Sequence, residues 1–210
     1  MAITTRTGKG SQLTWAEMDN NLTELNTRTQ IGWQNLNGTV ERSGIANPPN
    51  KYNFLGAFQL DCFDPDNEQE IACKFHIPHD YVVGTPIYPH GHMTVHTAST
   101  GTVRWGFAIA YAYEFDTAVD TPPPPAGSVY TLLGTNYVNM PILASYQNVH
   151  LLLEGTDANG MTLPGLAPDS VIMMRVFRDA TNIADTYPDG ICLTHIDLYY
   201  RSQNFGSANK

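Results

Sequence analysis

One alternating stretch constrains the fold more than any other part of the sequence. Odd positions between residues 103 and 115 carry bulky apolar or aromatic side chains, and even positions carry mostly glycine and alanine. Successive side chains of a β-strand point to opposite faces, so this period of two predicts a strand with one bulky, buried face. The small face would admit either a closely approaching neighbour or a tightly packed cover. The bulky positions are Val103, Trp105, Phe107, Ile109, Tyr111, Tyr113 and Phe115.

Seven further segments resemble strands because short apolar runs are bounded by turn-forming residues. No helical pattern separates them, which favours two antiparallel sheets over a parallel α/β sheet. We therefore predict an all-β fold, a jelly-roll-like two-sheet β-sandwich over residues 51–210. Four prolines at 122–125 predict a stiff projecting loop within it. The candidate segments are 54–63, 70–77, 87–97, 129–133, 149–154, 171–178 and 191–200.

A single helix is predicted near the N-terminus. Thr14 and Glu17 have the spacing of a capping box, which marks a helix start. The narrow apolar seam that follows spans only two heptads, and such a helix is marginal alone in water. We therefore expect its seam to contact other subunits or another protein, with residues 1–50 forming an extended N-terminal arm and helix for attachment. The seam residues are Trp15, Met18, Leu22 and Leu25.

Charge argues against two classes of partner. Eleven Lys and Arg stand against twenty Asp and Glu, giving a formal net charge of -9. Because no segment clusters basic residues, we expect binding neither to nucleic acid nor to a membrane surface. No apolar run is long enough to span a bilayer, and the first residues lack the apolar centre of a secretory signal, which predicts a cytoplasm-like compartment.

The three cysteines, Cys62, Cys73 and Cys192, are odd in number, widely spaced and set among apolar neighbours. This pattern predicts buried, reduced thiols in preference to a disulfide framework.

Histidines provide the one candidate metal site. His90, His92 and His96 have even spacing, so on one strand their side chains share a face, within reach of a Zn, Mn, Fe or Ni ion. Three interpretations stay open: imidazoles that form hydrogen bonds in the core or at a subunit interface, a structural metal on an oligomer axis, and a catalytic metal. No cofactor beyond such a structural metal is expected.

The segment from Gly84 through His90 and His92 resembles the first metal-binding motif of cupins, with His96 where that family usually has Glu. No second motif follows, and neither His150 nor His195 has a suitable context. Because the first motif matches, a cupin-like metal-dependent enzyme stays an alternative. Because the second motif is missing, a protein without catalytic residues is the main prediction.

The candidate strands 171–178 and 191–200 contain charged residues that could form a salt bridge. Alternation puts His195 and Asp197 on one face, and we expect Arg175 to form a salt bridge with Asp197 across the sheet. Nucleophile elbows and glycine-rich phosphate loops are absent from the sequence, so no catalytic residue is predicted.

Several runs resemble a family of virion structural proteins from tailed bacteriophages. The opening run is "GSQLTWAEMDNNLTEL", and the body contributes "FHIPHDYVVGTPIYPHGHMTVH", "GTVRWGFAIAYAYEF", "SVIMMRVFRDATN" and "LTHIDLYYRSQNFGS", in order over residues 10–207. In one departure, Tyr199 stands where that family commonly has His.

The resemblance implies a trimerising β-sandwich without enzymatic activity, attached to a capsid or tail. The predicted function is a homotrimeric capsid decoration or cement protein, located in the virion after assembly in the host cytoplasm, with the major capsid protein or other virion proteins as partners. A tail or head fibre or adaptor that binds a host surface is the alternative. Only 15% of residues are charged, so neutral polar groups are available for burial between copies.

Overall fold

The computed structural model describes residues 4–29, 32–42, 46–112, 131–144, 147–153 and 160–203. Two helices come first, α1 at Arg6–Lys9 and α2 at Trp15–Thr29. The strands that follow are β1 Gly32–Asn37, β2 Thr39–Glu41, β3 Asn50–Phe54, β4 Phe58–Phe63, β5 Gln69–His76, β6 Tyr88–Thr94, β7 Gly101–Ala112, β8 Thr131–Leu132, β9 Asn136–Ile142, β10 Asn148–Leu152, β11 Val171–Arg178 and β12 Ile191–Ser202.

These strands form two antiparallel sheets. In sheet A the order is β10-β6-β12-β4-β3, and β1 also pairs with β12. In sheet B the order is β2-β5-β11-β7-β8, and β9 also pairs with β7. From β4 to β7 the chain alternates between the sheets, and β9 to β12 return in the interleaved order of a jelly roll. The predicted all-β, jelly-roll-like sandwich is confirmed.

Strand β7 provides the centre of the core, as its alternation predicts. Val103, Trp105 and Phe107 are fully buried, and the Trp105 ring meets Phe63 of sheet A edge-on at 4.9 Å. On the small face, a Cβ at Gly106 would lie 2.1 Å from the ring of Phe177, so a side chain of the neighbouring strand β11 covers this position. The predicted continuation at Tyr113 and Phe115 and the four prolines at 122–125 lie outside the described residues.

The strands β1 and β2 were not predicted. They pair with β12 and β5 respectively, so Gly32–Asn37 and Thr39–Glu41 belong to the sandwich although the sequence places them in the arm. The side chains of β1 are mostly exposed and β2 has only three residues, so neither strand shows the apolar alternation that reveals a half-buried strand. The division of the chain at residue 50 stays a prediction.

The cysteine prediction is wrong at two of three positions. Cys62 of β4 and Cys192 of β12 are direct partners in the sheet register and form a disulfide. Cys73 is a free, buried thiol, as predicted. The two paired cysteines are 130 residues apart in the sequence, so only the register of the finished sheet brings them together.

Two arginines of β11 have opposite environments. Arg178 is fully buried, and its guanidinium donates to both carboxylate oxygens of Asp185 at 2.8 and 2.9 Å and to the carbonyls of Tyr187 and Asp189. Arg175 is exposed and pairs with Glu68 and Glu70.

The predicted salt bridge between Arg175 and Asp197 is therefore wrong. These residues lie on β11 and β12, which belong to different sheets.

The start of α2 has the predicted capping box. The backbone amide of Glu17 donates to Thr14 Oγ1 at 3.2 Å, and the amide of Thr14 donates to Glu17 Oε2 at 2.7 Å. In the described part of the chain, neither helix combines the length and apolarity needed to cross a bilayer.

Candidate functional site

A row of three imidazoles crosses the outer face of sheet A. His92 of β6 is in register with His150 of β10 on one side and with His195 of β12 on the other. Two residues further along each strand, Asp197 of β12 is in register with His90 of β6. We call these five residues, His90, His92, His150, His195 and Asp197, the outer cluster.

A β-bulge at Thr194 gives the outer cluster its orientation. The register of β12 against β6 shifts between Leu193 and His195, so one extra residue interrupts the alternation. Leu193 before the bulge and Ile196 after it both face the core, which leaves His195 and Asp197 on the outside. The Thr194 hydroxyl donates to the carbonyl oxygen of His92 at 2.8 Å and fixes the bulge to β6.

His96 does not join the other two predicted ligands. Strand β6 ends at Thr94, and four residues along a strand separate His96 from His92 by about 13 Å. The His96 ring instead stacks on Tyr52 at 4.2 Å. His150 and His195, which were not predicted as ligands, occupy the positions beside His92.

The imidazole rings of the outer cluster are in close contact. The rings of His92 and His195 stack at 4.0 Å with an interplanar angle of 11°. His150 contacts His92 at 4.8 Å and His90 at 4.3 Å between ring centroids. The four rings therefore form one continuous contact across strands β10, β6 and β12.

The carboxylate of Asp197 lies beneath these rings and is 1% exposed. Its Oδ2 accepts a hydrogen bond from Asn35 Nδ2 at 2.7 Å and lies 3.4 Å from His92 Nε2 and 4.0 Å from His195 Nε2. Its Oδ1 lies 3.9 Å from His90 Nδ1. Among the described residues, Asp197 Oδ1, His90 Nδ1 and His92 Nε2 are buried without a hydrogen-bond partner.

Burial controls the charge of the two histidines on β6. It lowers the pKa of His90 from 6.5 to about 4. The neighbouring His150 also lowers this pKa, whereas Asp197 raises it. Burial likewise lowers the pKa of His92, and His195 adds to the effect. Both rings are therefore neutral at pH 7, and a neutral imidazole keeps a lone pair for a ligand.

An aromatic cavity adjoins the outer cluster. It has a volume of about 320 Å³ and is lined by Trp33, Tyr88, His90 and Tyr199. Trp33 meets Tyr88 edge-on at 5.2 Å, and the guanidinium of Arg201 lies 3.9 Å from the centroid of the Trp33 ring. Tyr199, which replaces the expected late histidine, contacts His90 at 4.7 Å. The cavity therefore offers aromatic surface beside a polar cluster.

His92, His195 and Asp197 offer ligand atoms that all lie within 4.8 Å of one another. Two imidazoles and a carboxylate form a donor set typical of divalent transition-metal sites. The alternation in the sequence predicted that His195 and Asp197 share a face. It could not predict that β12 pairs with β6, because neither strand's own sequence indicates its neighbour.

The four predicted contact residues of α2 lie along the N-terminal helix. Trp15 is 81% exposed and Leu22 is 64% exposed, whereas Met18 is half-buried. The side chain of Leu25 lies outside the described part of the structure. The predicted contact role of these residues stays a prediction.

No family model and no curated protein matches the chain. Among solved structures, it is similar to capsid protein VP1 of the Trichodysplasia spinulosa-associated polyomavirus in complex with sialylated glycooligomers, with 10% identity and a TM-score of 0.25 over 82% of this chain and 94% of VP1. It is also similar to Merkel cell polyomavirus VP1 in complex with GD1a oligosaccharide, with 8% identity and a TM-score of 0.21 over 82% of this chain and 95% of VP1. The fold assignment rests on the strand pairing itself.

Proposed function

We propose that this protein is a non-enzymatic virion structural protein, namely a homotrimeric capsid decoration or cement protein of a tailed bacteriophage. The observation that carries the proposal is the exposure of Trp15 and Leu22 on a helix attached to a sandwich with its own core. No described side chain of α2 belongs to that buried core. Exposed apolar side chains on an appended helix are typical of an attachment surface.

Composition and sequence resemblance support the phage assignment. The runs quoted above resemble virion proteins in order along the chain, and the low content of charged residues suits burial between symmetric copies. A cement protein acts by thermodynamic coupling. Each trimer adds contacts across capsomer junctions, and many such contacts raise the free energy of local capsid opening.

The test compares virions that carry the protein with virions that lack it. We expect loss of the protein to lower resistance to heat and osmotic shock, and we expect purified full-length protein to restore it. A matched control adds protein with Trp15→Ala and Leu22→Ala, which should restore less. Full resistance in virions without the protein would overturn the cement function.

The aromatic cavity favours a second candidate, a tail or head fibre or adaptor that binds a host surface. Flat aromatic surfaces such as Trp33 and Tyr88 suit stacking on sugar rings. Copy number separates the candidates because cement covers the whole shell, whereas a fibre occupies a few vertices or the tail. Quantitative mass spectrometry of purified particles measures this number relative to the major capsid protein.

The third candidate, a cupin-like metal-dependent enzyme, has less support. The motif that suggested it needs His96 beside His90 and His92, and His96 lies apart from them against Tyr52. The outer cluster also faces away from the core between the two sheets. Turnover of a small molecule by a purified monomer would favour the enzyme over the structural protein.

A further inference from the structure

We propose that His92, His195 and Asp197 bind one divalent transition-metal ion of the Zn²⁺ class, with Asn35 as a positioning residue. The ion would join strands β6 and β12 directly and would include β1 through Asn35. The inference concerns sheet A alone and does not depend on the proposed virion function.

The distances between the donor atoms suit such an ion. Tetrahedral Zn²⁺ with metal–ligand bonds of 2.0–2.1 Å places its ligand atoms about 3.3 Å apart. His92 Nε2 and Asp197 Oδ2 are already 3.4 Å apart, and His195 Nε2 lies 4.0 Å from the same oxygen. The three donors therefore need movements of about 1 Å to reach coordination distances, within the range of small side-chain rotations.

Unpartnered polar atoms are the second observation. Asp197 Oδ1 and His92 Nε2 are buried without a hydrogen-bond partner among the described residues. The described ion pairs of Asp197 involve only histidines, with no Lys or Arg among them. The Asp197 side chain is 1% exposed and one of its oxygens has no hydrogen-bond partner, which is costly for a buried carboxylate. A divalent cation bound to Asp197 Oδ2 would supply a positive charge beside the carboxylate and would give His92 Nε2 a partner.

The surrounding residues have the arrangement of an outer shell. Metal-binding carboxylates are usually held by further hydrogen bonds, and here Asn35 donates to Asp197 Oδ2. His90 approaches Asp197 Oδ1, and His150 packs against both His90 and His92. His195 is half exposed, so a water molecule could occupy a fourth coordination position.

The experiment uses full-length protein treated with a chelator and then dialysed. Titration with Zn²⁺ in a calorimeter should give one site per chain, and Co²⁺ should give the visible absorption bands of a tetrahedral complex. His195→Ala and Asp197→Asn should each weaken Zn²⁺ binding by at least about 100-fold, and Asn35→Ala by about 10- to 100-fold.

Two matched controls use histidines outside the site. His96→Ala removes the ligand that sequence spacing favours, and His79→Ala removes an exposed imidazole that lies 3.2 Å from Asp169. Both variants should bind Zn²⁺ as the unmodified protein does. Loss of binding in either control, with binding retained in His195→Ala, would overturn the proposed ligand set.

Folding of the variants is checked by circular dichroism. Asp197→Asn preserves the side-chain shape, and His195 is half exposed, so each change tests the ligand with little effect on packing. Unmodified, folded protein that binds Zn²⁺ with no defined stoichiometry would overturn the site itself.

Discussion

His92 and His195 lie opposite each other across β6 and β12, with their rings stacked 4.0 Å apart. Their positions depend on one inserted residue, Thr194, because the bulge changes which face of β12 points outward. Bulges often orient a side chain next to a functional site. The outer cluster is therefore a product of sheet register as much as of the residues that form it.

The disulfide predicts the number of free thiols. Protein purified without reductant and then unfolded should show one free thiol, that of Cys73, because Cys62 and Cys192 are joined. Burial raises the pKa of Cys73 to about 12, so a thiol reagent should react with it only after unfolding. Three free thiols would contradict the disulfide and would show that all three cysteines are reduced.

Removing the disulfide should lower stability. A variant with Cys62→Ser and Cys192→Ser should lose about 2–4 kcal/mol of unfolding free energy, because the cross-link restricts the unfolded chain. Urea unfolding followed by tryptophan fluorescence measures this loss. Reductant should destabilise the unmodified protein by a similar amount and leave the double variant unchanged.

Arg178 should contribute far more to stability than Arg175 on the same strand. Arg178→Met leaves the carboxylate of Asp185 buried without its cationic partner and should cost about 3–5 kcal/mol. Arg175→Met removes exposed ion pairs and should cost at most about 1 kcal/mol. Chemical denaturation of the two variants gives the comparison, and equal losses would contradict the role of the buried pair.

Tyr200 should make the fold sensitive to alkali. Burial and the neighbouring carboxylate of Asp80, which accepts its hydroxyl at 3.1 Å, raise the pKa of Tyr200 from 10.0 to about 12. The unfolded chain ionises first, so the stabilisation is complete below pH 10 and is lost as the pH rises through 12. We expect this residue to contribute a loss on the order of 1–2 kcal/mol.

The measurement compares unfolding free energies at neutral and alkaline pH. Tyr200→Phe should show a smaller alkaline loss than the unmodified protein, although it is less stable at neutral pH because the hydrogen bond is gone. Tyr52→Phe is the control, since the Tyr52 side chain is 38% exposed. Identical alkaline losses in all three proteins would contradict the assignment to Tyr200.

The N-terminal helix should determine attachment without determining assembly. Deletion of residues 1–30 should leave a trimer in light scattering but abolish binding to capsids, because a two-heptad seam is too short to dominate a subunit interface. Trp15→Ala with Leu22→Ala should weaken capsid binding by about 100-fold, from roughly 3 kcal/mol of lost apolar burial.

The control for the helix is Ile183→Ala, which removes an apolar side chain that is 97% exposed on the sandwich. It should bind capsids normally. A monomer after deletion would instead assign trimer formation to the helix.

Local patterns predicted the parts of the fold in which one segment contains all the information. Strand β7 follows from its own alternation, and the start of α2 follows from Thr14 and Glu17. Strand β1 could not be predicted because it joins sheet A with mostly exposed side chains. Strand β9 contains Pro141, which argues against a strand in sequence alone.

The candidate site was predicted only in part for a related reason. Even spacing placed His90 and His92 on one face, but it could not show that β6 ends before His96. The partners of His92 come from β10 and β12, and the partner of Cys62 also comes from β12. Pairings between distant segments depend on register, which the sequence of one strand does not specify.

Strand β12 lies between β6 and β4 in the middle of sheet A, and it also supports β1. A ribosome synthesises β4 and β6 long before β12. Their edges that pair with β12 therefore stay unpaired while the intervening chain is made. Neither the outer cluster nor the disulfide can assemble during that interval. A nascent chain that stalls before β12 therefore exposes unpaired strand edges to chaperones and proteases, and release of β12 completes sheet A in one late step.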